Sequence, residues 1–255
     1  MDLRLKGNRV LVTGGSKGIG AACAKVFLQE GCAVTIVARG AAKLKVARAE
    51  LSAFGEVEAM AADLSQGSER ERVAAAYPDT TILVNNAGAI PGGGLLDLTM
   101  ERWVEAWNLK VMGYIHMTQL MLARMKERKA GTIVNIIGAA GRSPRYDYVC
   151  GATGNAALMA FTGAVGGKSV DWGVRMFGIN PSSTRTDRII TLSKTRAKAK
   201  FGDESRWEEM LTGLPLDRLA EAEEMANSAV FLASPACGYV SGTVLDVDGG
   251  AHYRA

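Results

Sequence analysis

The sequence of 255 residues is poor in the side chains that build metal sites and disulfide frameworks. It contains only two histidines, and none of its four cysteines joins another in a Cys-x-x-Cys motif. Its net charge of +4 is modest, and the basic residues are spread along the chain instead of forming one long block. We therefore expect buried thiols in a reducing environment, no metal ion and no nucleic-acid partner.

Long apolar runs are missing as well. No uninterrupted apolar stretch reaches the roughly 18 residues of a membrane-spanning helix, and no signal-peptide pattern precedes the first strand-like run. The sequence thus predicts a cytoplasmic protein with no membrane partner. What it does contain, 48% hydrophobic residues, 22% charged residues and 30 glycines, is typical of a globular protein with many tight turns.

Six short apolar runs organise the chain, with helical patterns between them. They span residues 10–12, 33–38, 82–85, 132–137, 174–180 and 244–247. Strands that alternate with helices form parallel sheets, and near-continuous apolar strands fit a sheet covered on both faces. Since no linker or repeat interrupts the pattern, we predict one doubly wound α/β domain over residues 1–255.

A glycine-rich loop directly follows the first apolar run. Its sequence is TGGSKGIG at residues 13–20, and a helical pattern over residues 21–30 comes next. Gly14, Gly18 and Gly20 permit a sharp turn, close approach of a pyrophosphate, and tight packing of the helix on the strand. The alternative is a purely structural turn, but the position between a strand and a helix favours a dinucleotide site.

The end of the second apolar run bears on which dinucleotide binds. An acidic residue at this point contacts the ribose 2′-hydroxyl of NAD(H), whereas this chain has Arg39. Arg39 and Lys17 are placed to meet a 2′-phosphate together. The sequence therefore predicts NADP(H) as the preferred cofactor and leaves NAD(H) possible. The alternative is that both residues are solvated surface cations.

Motifs over the whole chain resemble the short-chain dehydrogenase/reductase family. After the glycine loop come DL at residues 63–64, NNAG at 85–88, NL at 108–109, a segment from GINP to Thr186 at 178–186, and VDGG at 247–250. The resemblance implies a seven-stranded Rossmann-type sheet with helices on both faces. It also implies a homodimer or homotetramer that forms through the helix containing Asn108 and the next one, near residues 151–167.

The same resemblance implies roles for individual residues. Asp63 contacts the adenine, the segment before Thr186 holds the nicotinamide carboxamide, and Asn108 is the active-site asparagine. Together with the glycine loop, it gives the cofactor-binding residues Gly14, Ser16, Lys17, Gly18, Ile19, Gly20, Arg39, Asp63, Leu64, Asn86, Ala87, Gly88, Asn155, Pro181, Thr184 and Thr186.

The other catalytic residues of that family are absent from their usual positions. Members use a tyrosine, a lysine one helical turn later, and a serine further upstream. No Tyr-x-x-x-Lys occurs in this chain, and alignment on residues 156–158 puts Gly151, Asn155 and Gly138 at the tyrosine, lysine and serine positions. Asn155 can bond ribose hydroxyls, but it has no charge to lower a neighbouring pKa. The sequence therefore predicts a non-standard active site.

Tyr148 is the candidate to replace the missing tyrosine, because it lies one helical turn before Gly151. The alternative role is that of a packing aromatic. Arg142 and Arg145 on the same connection could bind an anionic substrate, or be surface charges. His116, eight residues after Asn108, is expected on the same helix face as a core or interface residue.

The segment of residues 185–207, which we call the lid segment, lies where the resemblance places a cover over the substrate. It is rich in cations, which suits an anionic substrate but also a solvated helix face. The basic residues are Arg185, Arg188, Lys194, Arg196, Lys198 and Lys200.

Three functions are compatible with these features. The first is an NADP(H)-dependent oxidoreductase that acts on a small carbonyl, alcohol or activated alkene. The second is a non-redox enzyme of the lyase or dehalogenase type on the same fold. The third is a catalytically inactive NADP(H)-binding or regulatory protein.

Overall fold

The apolar runs of the sequence become strands of one parallel sheet in the computed structural model, which describes residues 1–254. The strands are β1 (Arg9–Thr13), β2 (Ala33–Ala38), β3 (Val57–Ala61), β4 (Ile82–Asn85), β5 (Gly131–Ile136), β6 (Val174–Pro181) and β7 (Val244–Val247). Their order across the sheet is β3-β2-β1-β4-β5-β6-β7. The predicted doubly wound, seven-stranded α/β fold is therefore confirmed.

Helices cover both faces of this sheet. They are α1 (Gly18–Gln29), α2 (Ala41–Leu51), α3 (Gly67–Ala76), α4 (Met100–Leu109), α5 (Val111–Arg128), α6 (Val149–Ser169), α7 (Asp187–Phe201) and α8 (Ala222–Ala233). Val10 and Val12 of β1 belong to the apolar cluster of α1, α2 and α8. Leu11 between them belongs to the cluster of α3 and α5. Because alternate side chains face opposite layers that are both apolar, the whole strand is apolar.

One strand and one helix boundary differ from the sequence-based prediction. The apolar runs missed β3, because this strand pairs only with β2 at the sheet edge and exposes Glu58, so its apolar pattern is broken. The single long helix expected to carry Asn108 and His116 is instead two helices, α4 and α5, which meet at Lys110. The spacing of eight residues therefore does not put Asn108 and His116 on one helix face.

Helix α6 is long and apolar for a structural reason. By length and composition alone, the stretch Val149–Trp172 would suit a membrane span. In the fold, however, Leu158 of this helix is fully buried with Tyr114 of α5 and Ile137 after β5. The apolar residues of α6 thus serve the packing of the helix between α5 and the sheet.

The strand order places the predicted motifs at one edge of the sheet. From β1 the chain builds β2 and β3 on one side, and then returns to add β4 to β7 on the other. Such a reversal opens a crevice at the carboxyl ends of the two strands that flank it. Thr13, Asn85, Ile136 and Pro181 end four neighbouring strands, so the loops after them meet around that crevice.

Candidate active site

The glycine loop presents an open helix terminus. Helix α1 begins at Gly18, earlier than the predicted start at residue 21, and Lys17 at its N-cap makes no side-chain capping hydrogen bond. The first-turn N–H groups of α1 therefore remain available, and the helix dipole favours an anion there. Gly14 adopts a φ of +68°, a backbone conformation that other residues rarely adopt. The loop thus fits the pyrophosphate of a dinucleotide.

The motif after β4 is pinned to the glycine loop. Asn86 Nδ2 donates to the carbonyl oxygens of Thr13 (3.0 Å) and Gly14 (3.1 Å). The Thr13 hydroxyl accepts from the backbone N–H groups of Asn86 and Ala87. A Cβ on Gly20 would collide with the Asn86 side chain, which explains why that position is glycine. These contacts fix the distance between the glycine loop and the wall of the crevice.

The two cations predicted to meet a 2′-phosphate differ in their partners. Lys17 Nζ pairs with Asp187 of the lid segment at 2.9 Å, and both side chains are largely exposed. That ion pair lowers the pKa of the Asp187 carboxyl. Arg39 is exposed just after β2, and no ion pair within residues 1–254 involves it. Asp63 follows β3, where its carboxylate accepts from the N–H and hydroxyl of Ser65.

A cavity of about 420 Å³ lies beside the cofactor motifs. Seven of the predicted cofactor-binding residues line it: Ile19, Asn86, Gly88, Asn155, Pro181, Thr184 and Thr186. Tyr148, Gly138 and the lid residues Arg188 and Arg196 line it as well. The cavity therefore joins the cofactor residues to the predicted replacement tyrosine and to the lid segment.

Tyr148 fills the space beside Gly151. A Cβ on Gly151 would lie 2.5 Å from the Tyr148 hydroxyl oxygen and in collision with its ring. Tyr148 is almost fully buried and precedes α6 as its N-cap residue. The glycine at 151 therefore makes room for a phenol that comes from the previous turn.

Arg188 of α7 holds this phenol. Its Nη2 donates to the Tyr148 oxygen at 2.8 Å and to the carbonyl oxygen of Ile90 at 2.8 Å. Among the described residues, the Tyr148 hydroxyl has no acceptor for its own hydrogen. The phenol can therefore donate that hydrogen into the cavity. The sequence placed Arg188 in the lid segment but did not reveal this contact, since the two residues are far apart in the chain.

Asn155 and Gly138, which the sequence predicts at the positions of the family's lysine and serine, face each other. Asn155 Nδ2 donates to the Gly138 carbonyl oxygen at 3.2 Å. Asn155 Oδ1 is buried and has no donor within residues 1–254. An unpartnered acceptor on the cavity wall suits a ribose hydroxyl, which can donate to it. Gly138 has a φ of +136°, so the strand end turns here in a way that favours glycine.

Lys110 is a site residue that the sequence reasoning missed. Its Nζ donates to the Ile137 carbonyl oxygen at 2.5 Å, and the side chain lines the cavity. A Cβ on Gly88 would lie 3.0 Å from Lys110 Cδ, so Gly88 leaves space for the lysine chain. Desolvation, together with the charge of Arg188, lowers the pKa of the Lys110 amine to about 7. The sequence signal that could have revealed this residue is a single lysine flanked by two apolar residues, Leu109 and Val111.

Asn108 does not reach the cavity. The residue is exposed, and its carbonyl oxygen accepts from Arg70 Nη1 at 3.0 Å. The break between α4 and α5 turns Lys110 toward the cavity instead. His116 also contacts Arg70, because its Nδ1 accepts from Arg70 Nε at 3.0 Å. Arg70 thus ties both residues to a structural contact outside the cavity.

Most other predicted cations are engaged or lie elsewhere. Arg142 pairs with Asp246 at 2.8 Å, and Arg145 and Arg196 share Asp147 at 3.1 and 2.8 Å. Lys194 and Lys198 line a separate pocket outside the cavity. Three of the four cysteines are fully buried free thiols, and Cys237 is partly exposed. Burial raises the pKa of the Cys23 thiol to about 12, which keeps it protonated and unreactive.

Known proteins share this architecture. Residues 8–197 match the short chain dehydrogenase family. The chain is 33% identical to an uncharacterized oxidoreductase, YvrD, of Bacillus subtilis (strain 168), with 98% of both chains covered. L-sorbose reductase from Gluconobacter frateurii, solved with NADPH and L-sorbose, gives a TM-score of 0.89 at 28% identity over 98% of both chains.

A variant of actinorhodin polyketide ketoreductase, solved with NADPH, gives a TM-score of 0.92 at 25% identity. That comparison covers 97% of this chain and 98% of the other. The family match over most of the chain agrees with the strand order and with the placement of the motifs at the crevice. The chain belongs to the short-chain dehydrogenase/reductase family.

Proposed function

We propose that this protein is an NADP(H)-dependent oxidoreductase with a non-standard active site. It interconverts a small carbonyl compound and its alcohol, or reduces an activated alkene. The supporting observation is a tyrosine hydroxyl at the cavity, held by Arg188, although the family's tyrosine position is Gly151. The cofactor would supply or accept the hydride, and the chain supplies binding, orientation and the proton.

The residues proposed to hold the cofactor fit its chemistry. The uncapped N-terminus of α1 suits the pyrophosphate, and the unpartnered Asn155 Oδ1 suits a ribose hydroxyl. Lys17 and Arg39 suit a 2′-phosphate, because both are cations at the carboxyl ends of β1 and β2. Two similar structures were solved with NADPH, which supports the same preference here.

The proposed proton donor is Tyr148. Arg188 donates to the phenol oxygen, so the phenol hydrogen is directed to another acceptor. A substrate oxygen in the cavity would be that acceptor, and water would return the proton afterwards. The bond from Arg188 Nη2 to the Ile90 carbonyl oxygen holds the guanidinium in place, so that the phenol is already positioned when the substrate enters. Tyr148 thus takes the role that a residue at 151 has in other members.

The predicted anionic character of the substrate remains part of the proposal. More basic than acidic side chains line the cavity: Lys110, Arg142, Arg145, Arg188 and Arg196 against Asp246 and Asp248.

We also propose a cytoplasmic location and a homodimer or homotetramer. Exposed Met100 and Val104 on α4 and Met112 on α5 supply apolar surface for self-association.

The test is an assay of NADPH oxidation with a panel of ketones, aldehydes and enones, together with Tyr148→Phe. Loss of a positioned proton donor should lower the rate by about 10² to 10⁴. Tyr146→Phe is the matched control, because Tyr146 lies close by in the chain and is exposed. It should leave the rate within a factor of two or so of wild type.

Two outcomes would decide for the other candidate functions. Tight NADPH binding by calorimetry, with no change in nicotinamide absorbance across the panel, would indicate a binding or regulatory protein. Substrate turnover without cofactor consumption would indicate a non-redox enzyme on this fold.

A further inference from the structure

The basic side chains that line the cavity beside the cofactor motifs fall into two groups. Arg142, Arg145 and Arg196 each have a carboxylate partner, Asp246 for the first and Asp147 for the other two. Lys110 and Arg188 have none within the described part of the chain, and both contact only neutral oxygen atoms. This cavity therefore holds two basic side chains, Lys110 and Arg188, that no carboxylate of the described residues pairs with.

The acidic residues at the cavity are already committed elsewhere. Asp246 accepts from Arg142 and from Asn180 Nδ2. Asp248 accepts from the backbone N–H groups of Gly250 and His252. Neither carboxylate can turn to Lys110 or Arg188 without losing these bonds. An anion from outside the chain can therefore bind Lys110 and Arg188 without competition from these two carboxylates.

The unused hydrogens of the two side chains suit an anion with several oxygen atoms. An ammonium carries three donor hydrogens, and Lys110 uses one of them on Ile137. Arg188 uses both hydrogens of Nη2 and leaves those of Nη1 and Nε without a partner in residues 1–254. Carboxylate and phosphate groups match such a paired arrangement of donors.

We propose that Lys110 and Arg188 form the receptor for an anionic group of the substrate, a carboxylate or a phosphate, inside this cavity. This assignment rests on the proposed function only in taking the cavity as the substrate site. Arg188 is exposed whereas Lys110 is partly buried, so pairing with an anion gains most at Lys110, where the effective dielectric constant is lower. The substrate is thus an anionic carbonyl or alcohol compound, and the site selects it against neutral analogues.

Binding of the anion should be linked to a proton. Arg188 of α7 is the charged group that acts on Lys110, and no carboxylate among residues 1–254 pairs with it. Tyr114 of α5 and Tyr148, which precedes α6, are the ionisable groups that Arg188 contacts or acts on in turn. Near pH 7 the free amine is only partly protonated. An anion favours the charged form, so the complex takes up a proton. Affinity should fall by up to about tenfold for each pH unit above 7 and change little below it.

The experiment is isothermal titration calorimetry of the protein with oxalate and with inorganic phosphate at pH 6 to 9. Two buffers of different ionisation enthalpy are used, because the difference in binding heat between them gives the number of protons taken up. Proton uptake is measured with oxalate, because phosphate itself titrates near this range. We expect a fraction of one proton per oxalate at pH 7.5. Lys110→Met should weaken binding at least tenfold at pH 6 and abolish the uptake. Lys110→Arg should keep the affinity and lose its pH dependence.

Further variants complete the test. Arg188→Met should also weaken binding at least tenfold, at every pH. Lys194→Met, an exposed lid cation outside the cavity, should bind both anions as wild type does. Preference for oxalate or for phosphate distinguishes a carboxylate substrate from a phosphate substrate. The proposal is overturned if neither anion binds, or if Lys110→Met and Arg188→Met bind both anions unchanged.

Measurements with and without saturating NADP⁺ separate this inference from the proposed function. Oxalate binding that depends on Lys110, in a protein that binds no NADP(H), would support the anion receptor and refute the oxidoreductase. Reduction of neutral carbonyls with no oxalate binding would support the oxidoreductase and refute the receptor.

Discussion

Tyr148 and Gly151 share one space, since a Cβ on residue 151 would lie 2.5 Å from the Tyr148 hydroxyl oxygen. Any side chain at 151 must therefore displace the phenol. Gly151→Ala should destabilise the protein by about 1–3 kcal/mol, as overpacking of a buried site does. The same change in a Tyr148→Ala background should cost much less, because the ring is gone. Urea unfolding of the four proteins of this double-mutant cycle measures the coupling, and equal costs in both backgrounds would contradict it.

Placing serine, tyrosine and lysine at 138, 151 and 155, the predicted catalytic positions, should fail to create an active site while Tyr148 is present. The tyrosine at 151 would collide with the Tyr148 ring, and a serine at 138 would need a φ of +136°. We expect the triple variant to be less stable than wild type and to gain no ketoreductase activity. Adding Tyr148→Ala should restore part of the lost stability.

The control for that experiment is Asn155→Lys alone, which should unfold close to wild type if its amine reaches the cavity. A well-folded triple variant with ordinary ketoreductase activity would show that Tyr148 moves more easily than its buried contacts indicate. Unfolding midpoints and NADPH oxidation rates decide between these outcomes.

The ion pair of Lys17 with Asp187 predicts a competition for the cofactor phosphate. Lys17 cannot hold Asp187 and a 2′-phosphate equally well, so Asp187→Asn should release it. We expect NADPH affinity to rise by about threefold, the scale of an exposed ion pair, and NADH affinity to stay unchanged. Fluorescence titration with both cofactors measures this, with Glu204→Gln on the exposed outer lid as the control. A similar gain for NADH would show that the effect is not specific to the phosphate.

The lowered pKa of Lys110 predicts how stability depends on pH. The amine titrates near 7 in the folded protein and near 10.4 in the unfolded chain. Between these values the unfolded chain binds more protons at this site, so folding becomes more favourable as the pH rises. The free energy of unfolding of wild type relative to Lys110→Met should therefore increase from pH 7 to 10 and be level below 7.

The measurement uses chemical unfolding in buffers without phosphate or carboxylate, because such anions would bind the folded protein. Lys194→Met, compared with wild type in the same way, should show no such trend. If the free energies of unfolding of wild type and Lys110→Met depend on pH in the same way, the Lys110 amine is solvated and keeps its ordinary charge.

The fold was predictable because its signals are local. Apolar runs give strands that are buried on both faces, and a glycine loop after the first of them gives the start of a Rossmann sheet. Strand β3 escaped the pattern, since an edge strand with exposed Glu58 needs no continuous apolar run. The predicted absence of the family's catalytic residues at 138, 151 and 155 rests on motif spacing alone and stays a prediction.

The arrangement of the active site could not be read from the sequence in the same way. Tyr148 was identified from its distance to Gly151, but its partner Arg188 depends on how α7 folds over the cavity. Lys110 was missed because a continuous helix was assumed, and the break between α4 and α5 decides which residue turns inward. Asn108 illustrates the consequence, since two positions along the chain separate an exposed residue from one at the cavity.

The two bonds from Arg188 Nη2 have a further consequence for the order of events. Arg188 lies in the first turn of α7, so the lid segment itself carries the group that positions the Tyr148 hydroxyl. If this segment withdrew to admit or release a ligand, the phenol would lose its only observed partner within residues 1–254. The protein would then be competent for proton transfer only with the cavity shut. In the open protein no ordered proton donor would be present, so a bound reduced cofactor would not be consumed before the substrate is enclosed.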